Sequence, residues 1–454
     1  VKDAPAQLVA AGMSRANAQA KAELFGQALA ALRAMAISGV QQPLRFFVPG
    51  RIEVMGKHTD YAGGRSLLCA IECGICLVAT PRADNQLRIL DAASNLETCF
   101  RISPDGMPEG HDWSIYPRTV ARRVAQNFSG ACCGADIAFA SDLPRAAGLS
   151  SSSALIVAFF CVLSESNGLE QRAEYRANIQ TRDELASYLG AVENGLDFGS
   201  LRGDLGVGTF GGSQDHTAIL CCAPGVLSQY SFCPVRHEML VPMPEGYVFV
   251  VAASGVEASK IGEARASYNR ASLGVSAILR LWCEATGRAD ETLAQAAVSA
   301  PDAPRQIRAL LRSVGLEEIH QGHFAFSARE LVDRFEAFVG ESMGLVSAVA
   351  EALARADLRR AGDLVDQSQR QAELWLGNQI PQTIALARSA RELGAAAASA
   401  FGAGFGGSVW ALVKADSAAD FSSRWMATYS DLFPQTAGAA RFFSTRPGPS
   451  LMRL

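Results

Sequence analysis

Pro144-Arg-Ala-Ala-Gly-Leu-Ser-Ser-Ser-Ser-Ala-Leu-Ile-Val-Ala158 is a loop of small residues running straight into an apolar helix. Gly148 and the serines Ser150 to Ser153 put backbone N–H groups and hydroxyls at a helix start, where unpaired amides and the helix dipole favour an anion. The stretch reads as a phosphate cradle. A serine-capped buried helix carries the same letters, so the rest of the chain has to decide between the two.

Upstream, residues 45–54 and 66–80 alternate or run apolar as strands do, and the segment between them, Gly50-Arg-Ile-Glu-Val-Met-Gly-Lys-His-Thr-Asp-Tyr-Ala-Gly-Gly64, concentrates glycine and charge. Such a loop suits closure around a polar ligand, and equally a solvated turn with a Glu53–Lys57 or Lys57–Asp60 pair. Ala-rich residues 5–38 read as one or two helices before the main fold. Downstream, the pattern predicts helix over 113–128, strand over 134–141, helix over 151–166 and further helix over 170–195, ending near Glu193.

A glycine-rich run, Asp197 to Gly212, then leads into Ser213-Gln-Asp-His216. Strands are expected over 216–222, 226–232 and 246–253, with a boundary near Pro242–Gly246. Helices are expected over 257–285, 291–313, 327–356, 358–376 and 380–394, before a third glycine loop, Gly402-Ala-Gly-Phe-Gly-Gly407, that enters a strand. The order is mixed α/β.

With 454 residues, 49% hydrophobic and 19% charged, the chain can bury a large core in two domains of ordinary size. A net charge of −4 supplies no global basic field, so small-molecule chemistry is expected over nucleic acid or membrane partners. No apolar run is read as a membrane span, the N-terminus lacks a signal-peptide pattern, and the 11 scattered cysteines suit reduced thiols, so the cytoplasm is the expected compartment. Cys73 and Cys76 form a lone C-x-x-C, and His320 and His323 a similarly weak pair.

Taken together and in this order, the segments 50–64, 142–155 and 402–407 resemble the signature of the GHMP small-molecule kinases, and of the galactokinase branch in particular. The resemblance runs from about residue 43 to the C-terminus and takes in Ser254-Gly-Val256 through Tyr268-Asn269 and the helix around Ser368. It implies a two-domain α/β (α+β) enzyme: an N-terminal half of ribosomal-S5-domain-2 type over 41–244, a ferredoxin-like half over 245–454, and a helical extension over 1–40. ATP and sugar would meet in the cleft between them, as monomer or homodimer. The chain holds no G-x-x-x-x-G-K-[ST], so the serine loop would take the role of a P-loop.

By the same resemblance, Gly148, Leu149, Ser150, Ser151, Ser152 and Ser153 would wrap the ATP phosphates, with Gly404 and Gly406 assisting. Ser152 and Glu193 would ligate Mg²⁺, a cation that prefers hard oxygen donors. Asp215 would be the catalytic base toward the anomeric hydroxyl and Arg51 its cationic partner, with Asp204 as a fallback base. The resemblance also implies that His58, Asp60, Tyr268, Glu53 and Lys57 stand at sugar-binding positions.

Two departures stand out. Asp215 follows Gly-Gly-Ser-Gln where the branch usually has Gly-Ile-Met, and the Glu193–Asp215 interval is about ten residues longer than usual. Lys57 stands where the branch has a glutamate, and an ammonium donates hydrogen bonds but accepts none. Either Lys57 turns away to pair with Glu53, or it faces a substrate carboxylate, which would make the sugar a uronic acid such as galacturonate. A non-catalytic sugar and ATP sensor on the same fold is the alternative from another class. Retention of Arg51, Ser152, Glu193 and Asp215 argues against it.

Overall fold

The computed structural model describes residues 3–35, 42–108, 110, 112–144, 147–256, 263–315 and 318–454. Arg145 and Ala146 of the serine loop, residues 36–40 of the extension and 257–262 of the predicted helix lie outside them.

The N-terminal half is built on strands β1 (Leu44–Met55), β2 (Arg65–Pro81), β3 (Gln86–Asp91), β4 (Leu96–Arg101), β5 (Ala135–Ser141), β6 (Val226–Ser231) and β7 (Arg236–Pro242). The second half holds β8 (Tyr247–Ala253), a short hairpin of β9 (Ile319–Gln321) and β10 (Phe324–Phe326), then β11 (Ala397–Phe401), β12 (Ser408–Lys414), β13 (Arg441–Thr445) and β14 (Met452–Arg453). Among the described residues the larger sheet runs β14-β1-β2-β5-β3-β4 with β6 and β7 joined to β2, and the smaller one runs β11-β12-β8-β13. The last strand returns to the first sheet, where Arg453 pairs with Phe46 and Met452 with Phe47.

One face of the large sheet packs on α3 (Ile115–Asn127) and α4 (Ser151–Asn167) through Val48, Ile52, Leu77, Ile137, Val120, Ile156 and Phe160. Its other face is covered by the N-terminal helices α1 (Ala4–Ala10) and α2 (Arg15–Ala34), whose Leu8, Phe25, Ala28 and Leu32 meet Phe47, Cys76, Val78 and Ala138. The extension is therefore an integral third layer, because strands that alternate at period 2 present an apolar set on both faces here and both must be covered. Cys73 and Cys76, three apart on β2, fall into these two different cores.

The predicted helix over 170–195 resolves into α5 (Ala173–Asn178) and α6 (Arg182–Asn194), the latter started by a Thr181/Glu184 capping box. The predicted strand over 216–222 is instead helix α7 (Gln214–Cys221). Its β-branched letters misled, since burial of Ala218, Ile219 and Leu220 follows from packing rather than strand pairing. Residues 328–354 form one helix, π-wound over 341–345, that by length and composition could cross a membrane. Here it is a core helix: Leu331, Phe335 and Phe338 pack in one cluster and Val346, Val349 and Leu353 in another.

Candidate active site

Three loops converge on one cleft of about 380 Å³. Arg51, near the end of β1, donates from its backbone to Leu149 O (3.3 Å) and from Nη1 to Gly148 O (2.5 Å), tying the first loop to the second. His58 Nε2 is 2.9 Å from Ala403 O, tying the first to the third. Gly402 closes the triangle, since a Cβ there would sit 3.0 Å from Gly148 O.

At the centre, Arg51 Nε donates to Asp215 Oδ1 at 2.7 Å, with the arginine side chain 4% and the aspartate 19% exposed. Burial alone would lower the guanidinium pKa, but Asp215, Glu53 and Asp60 outweigh it and raise it, so the cation is secure. Asp215 sits in the first turn of α7, and Ser153 Oγ reaches its Oδ2 at 3.5 Å. The same hydroxyl donates to Glu193 Oε2 at 2.8 Å, and His216 Nε2 lies 3.2 Å from that oxygen.

Above this pair begins α4. Ser150 adopts a left-handed conformation (φ 61°) and accepts no capping bond, so it is not the side-chain cap that serine usually provides. Its buried Oγ has no partner among the described residues. Ala154 N donates to Ser150 O at 2.9 Å, and the amides of the turn before it are those that an α-helix leaves without intrahelical partners. Ser150, Ser151, Ser152, Ser153 and Gly148 all line the cleft, whereas Leu149 turns into the core at 1% exposure and contributes only its carbonyl. Ser152 and the buried Glu193 offer hard oxygen donors on the same wall, a set that fits a small divalent cation.

On the other side of Arg51, Asp60 accepts from Gln214 N at 3.1 Å, and burial raises its pKa. The glycine at 212 is required by that approach, because a Cβ would stand 2.3 Å from Asp60 Oδ2. Tyr268 lines the same side, its ring 5.1 Å from that of His58. Glu53 accepts from Gln214 Nε2 at 2.6 Å, and burial pushes its carboxyl up to about 7.

Lys57, Gly404 and Gly406 stand away from the cleft, contrary to expectation, and His58 lines it with both ring nitrogens already engaged. Lys57 neither pairs directly with Glu53 nor lines the cleft. Its ammonium donates to Ser399 Oγ (2.9 Å) and Ser368 Oγ (3.3 Å), and Ser368 in turn donates to Glu341 Oε2 (2.7 Å). Glu341 Oε1 accepts from Gly56 N, so an acid from the C-terminal half balances the lysine from behind the loop. His58 has both ring nitrogens engaged, Nδ1 with Tyr61 Oη at 2.8 Å and Nε2 with Ala403 O, and burial lowers its pKa to about 4. It braces two loops together. Gly404 and Gly406 do not line the cleft; Gly402 and Ala403 do, while Gly404 packs against Asn378.

Asp204 is likewise elsewhere, held by Arg122 Nε and Gln126 Nε2 beside α3, and the long 195–213 segment folds back with Val207 N on Glu193 O. The structure also adds residues that the sequence reading missed. Trp113, Tyr116, Phe139, Leu143 and Leu155 give the serine end of the cleft an apolar wall. The aromatic pair Trp113 and Tyr116 at a helix start was the legible signal for it. Arg334 donates to His58 O (2.6 Å) and Tyr61 Oη (3.1 Å) from a helix far along the chain, and nothing local marks it.

The model of the galactokinase galactose-binding signature matches residues 36–81, that of the GHMP kinases N terminal domain 116–201, and that of the GHMP kinases C terminal 349–431. The chain belongs to the GHMP kinase superfamily. Its similar curated relatives include galactokinases. That of Glaesserella parasuis serovar 5 is 29% identical over 46% of this chain and 50% of its own length. That of Roseiflexus sp. is 28% identical over 86% of this chain and 88% of its own. The chain thus spans about half the length of the first of these relatives. Lactococcus lactis galactokinase, solved in complex with galactose, superimposes with a TM-score of 0.75 over 94% of this chain and 100% of that one, at 21% identity. Methanococcus jannaschii mevalonate kinase shares the fold more loosely, with a TM-score of 0.54 at 12% identity over 90% of this chain and 99% of that one.

Proposed function

We propose that this protein is an ATP-dependent sugar kinase acting on the anomeric hydroxyl of galactose or a close neutral relative. The observation that carries the reading is the Arg51–Asp215 pair, in one cleft with a helix start rich in serine hydroxyls and with the polar side chains of Asp60, His58 and Tyr268. In this reading the apolar wall of Trp113 and Tyr116 takes the nucleobase, and Gly148 with Ser150 to Ser153 takes the phosphates through backbone N–H and hydroxyl donors.

Ser152 and Glu193 would hold Mg²⁺, which when bound offsets charge on the terminal phosphates. Asp215 accepts the proton of the acceptor hydroxyl or orients it, and Arg51 keeps Asp215 ionised while facing the charge that develops on the transferred group. Asp60 accepts hydrogen bonds from neighbouring sugar hydroxyls. The ties among the three loops would hold donor and acceptor in a fixed relation.

Lys57 weighs against a uronic acid, because its charge is committed to Ser368, Ser399 and the acid behind them rather than to the cleft. The intact Arg51–Asp215 pair weighs against a silent sensor. ADP release measured over a panel of sugars, with mevalonate and homoserine as controls, tests the reading. Galactose or a neutral relative is expected to turn over. Turnover of galacturonate alone, or of either control alone, overturns it.

A further inference from the structure

A charged side chain of the N-terminal layer is tied to the loop that carries the serines. Lys21, on α2, is 0% exposed, and its ammonium is bonded to Asp142 Oδ2. Asp142 is the first residue of the loop that carries Gly148 and the serines, and its other oxygen accepts from Gly74 N at 2.8 Å. Its neighbours on both sides, Ser141 and Leu143, line the cleft. The far end of the loop has its own ties, Ser408 Oγ on Ala147 O and Arg51 on Gly148 O and Leu149 O. At the near end, Asp142 is gripped by the strand on one side and by Lys21 on the other.

A buried ammonium costs several kcal/mol unless it is paired, and α2 already docks through Phe25, Ala28 and Leu32 without it. We infer that Lys21 is a positioning residue for nucleotide binding: through Asp142 it sets where the serine loop begins, so a helix outside the three signature loops tunes the ATP site and leaves the sugar site alone. Holding both carboxylate oxygens of Asp142 limits its rotation and so fixes its neighbours Ser141 and Leu143, which line the cleft. This rests on the kinase reading above.

The test compares the full-length protein with Lys21→Met, Lys21→Arg, Asp142→Asn and the double variant Lys21→Met/Asp142→Asn. Lys21→Met is expected to raise the KM for ATP about tenfold while the KM for sugar and the kcat at saturating ATP stay within about twofold. Lys21→Arg, which keeps the cation, is expected to recover part of that loss. Asp142→Asn should act in the same direction, and the double variant should be no worse than the more damaging single one, as for two groups acting through one contact.

Should either single variant not fold, the double variant Lys21→Met/Asp142→Asn carries the test, since it leaves no buried charge without its partner. Equal movement of both KM values, or a lowered melting temperature with neither KM moved, overturns the inference and leaves α2 as packing alone. Titration of the unaltered protein with a non-hydrolysable ATP analogue separates the two claims: failure to bind it sinks the kinase reading, whereas binding with no response to either substitution sinks only the role of Lys21.

Discussion

At the sugar end of the cleft the side chains already hold one another: Arg51 grips Asp215, Gln214 joins Glu53 through its side chain and Asp60 through its amide, and His58 uses both ring nitrogens on Tyr61 and Ala403. At the serine end the donors are mostly backbone, the walls are small or apolar, and Ser150 Oγ has no partner among the described residues. The contrast follows from the ligands. A neutral polyol needs fixed acceptors and donors at set angles, which a network of buried side chains supplies. A polyphosphate carries its own charge and needs a concave set of amides, which a loop entering a helix supplies with little side-chain chemistry.

If the contrast is sound, the largest effect belongs to the network's centre. Asp215→Asn is expected to lower kcat at least about a thousandfold while sugar affinity stays within an order of magnitude, as read by steady-state kinetics and sugar titration. Near-normal turnover would move the base elsewhere, and Asp204, bound to Arg122 and Gln126 outside the cleft, could not take its place.

Next comes the brace behind the sugar loop. Lys57→Met removes one member of a buried set that runs through Ser368 to Glu341, and denaturant unfolding should show a loss of about 3 kcal/mol. The variant should gain no preference between neutral and carboxylated sugars, because the ammonium does not reach the cleft.

The pH dependence of stability offers a finer test. Glu53 ionises near 7 in the fold against an ordinary 4.5, so the folded state holds a proton that the unfolded chain has lost, and stability falls as pH rises across that window. His58 works in the opposite sense: its pKa is about 4 in the fold against 6.5, so stability falls as pH drops from 6.5 toward 4. Glu53→Gln should therefore gain on the parent by about 2 kcal/mol between pH 5 and pH 7.5, read from denaturant midpoints at each pH.

The smallest effects separate the two ends directly. Gly212→Ala pushes a methyl into Asp60 and should raise the sugar KM about tenfold with the ATP KM unchanged. Gly148→Ala meets only ordinary contacts but holds φ at 74°, a strain of about 1 kcal/mol, and should raise the ATP KM about fivefold with the sugar KM unchanged.

Much of this was legible in the letters. The serine stretch, the charged glycine loop after β1 and the third glycine loop are local patterns whose chemistry depends on residue type and short spacing, and most strands and helices follow from period 2 or 3.6. The placement of Arg51 against Asp215, 164 positions apart, was reachable only through the family resemblance.

Which way a side chain faces was not legible. Lys57 and His58 sit in the charged loop as the sequence requires, yet their partners are Ser368, Ser399, Ala403 and Tyr61, most of them hundreds of residues away. Gly404 and Gly406 look equivalent to Gly402 in a row of glycines, and only the approach of Gly148 selects Gly402. The same holds for Lys21 and Asp142, 121 positions apart. Local order comes from the chain's own torsions and periodicity, which are written residue by residue. Contact partners come from packing two sheets and three loops into one volume, where a buried charge is stable only beside whichever partner the fold carries to it.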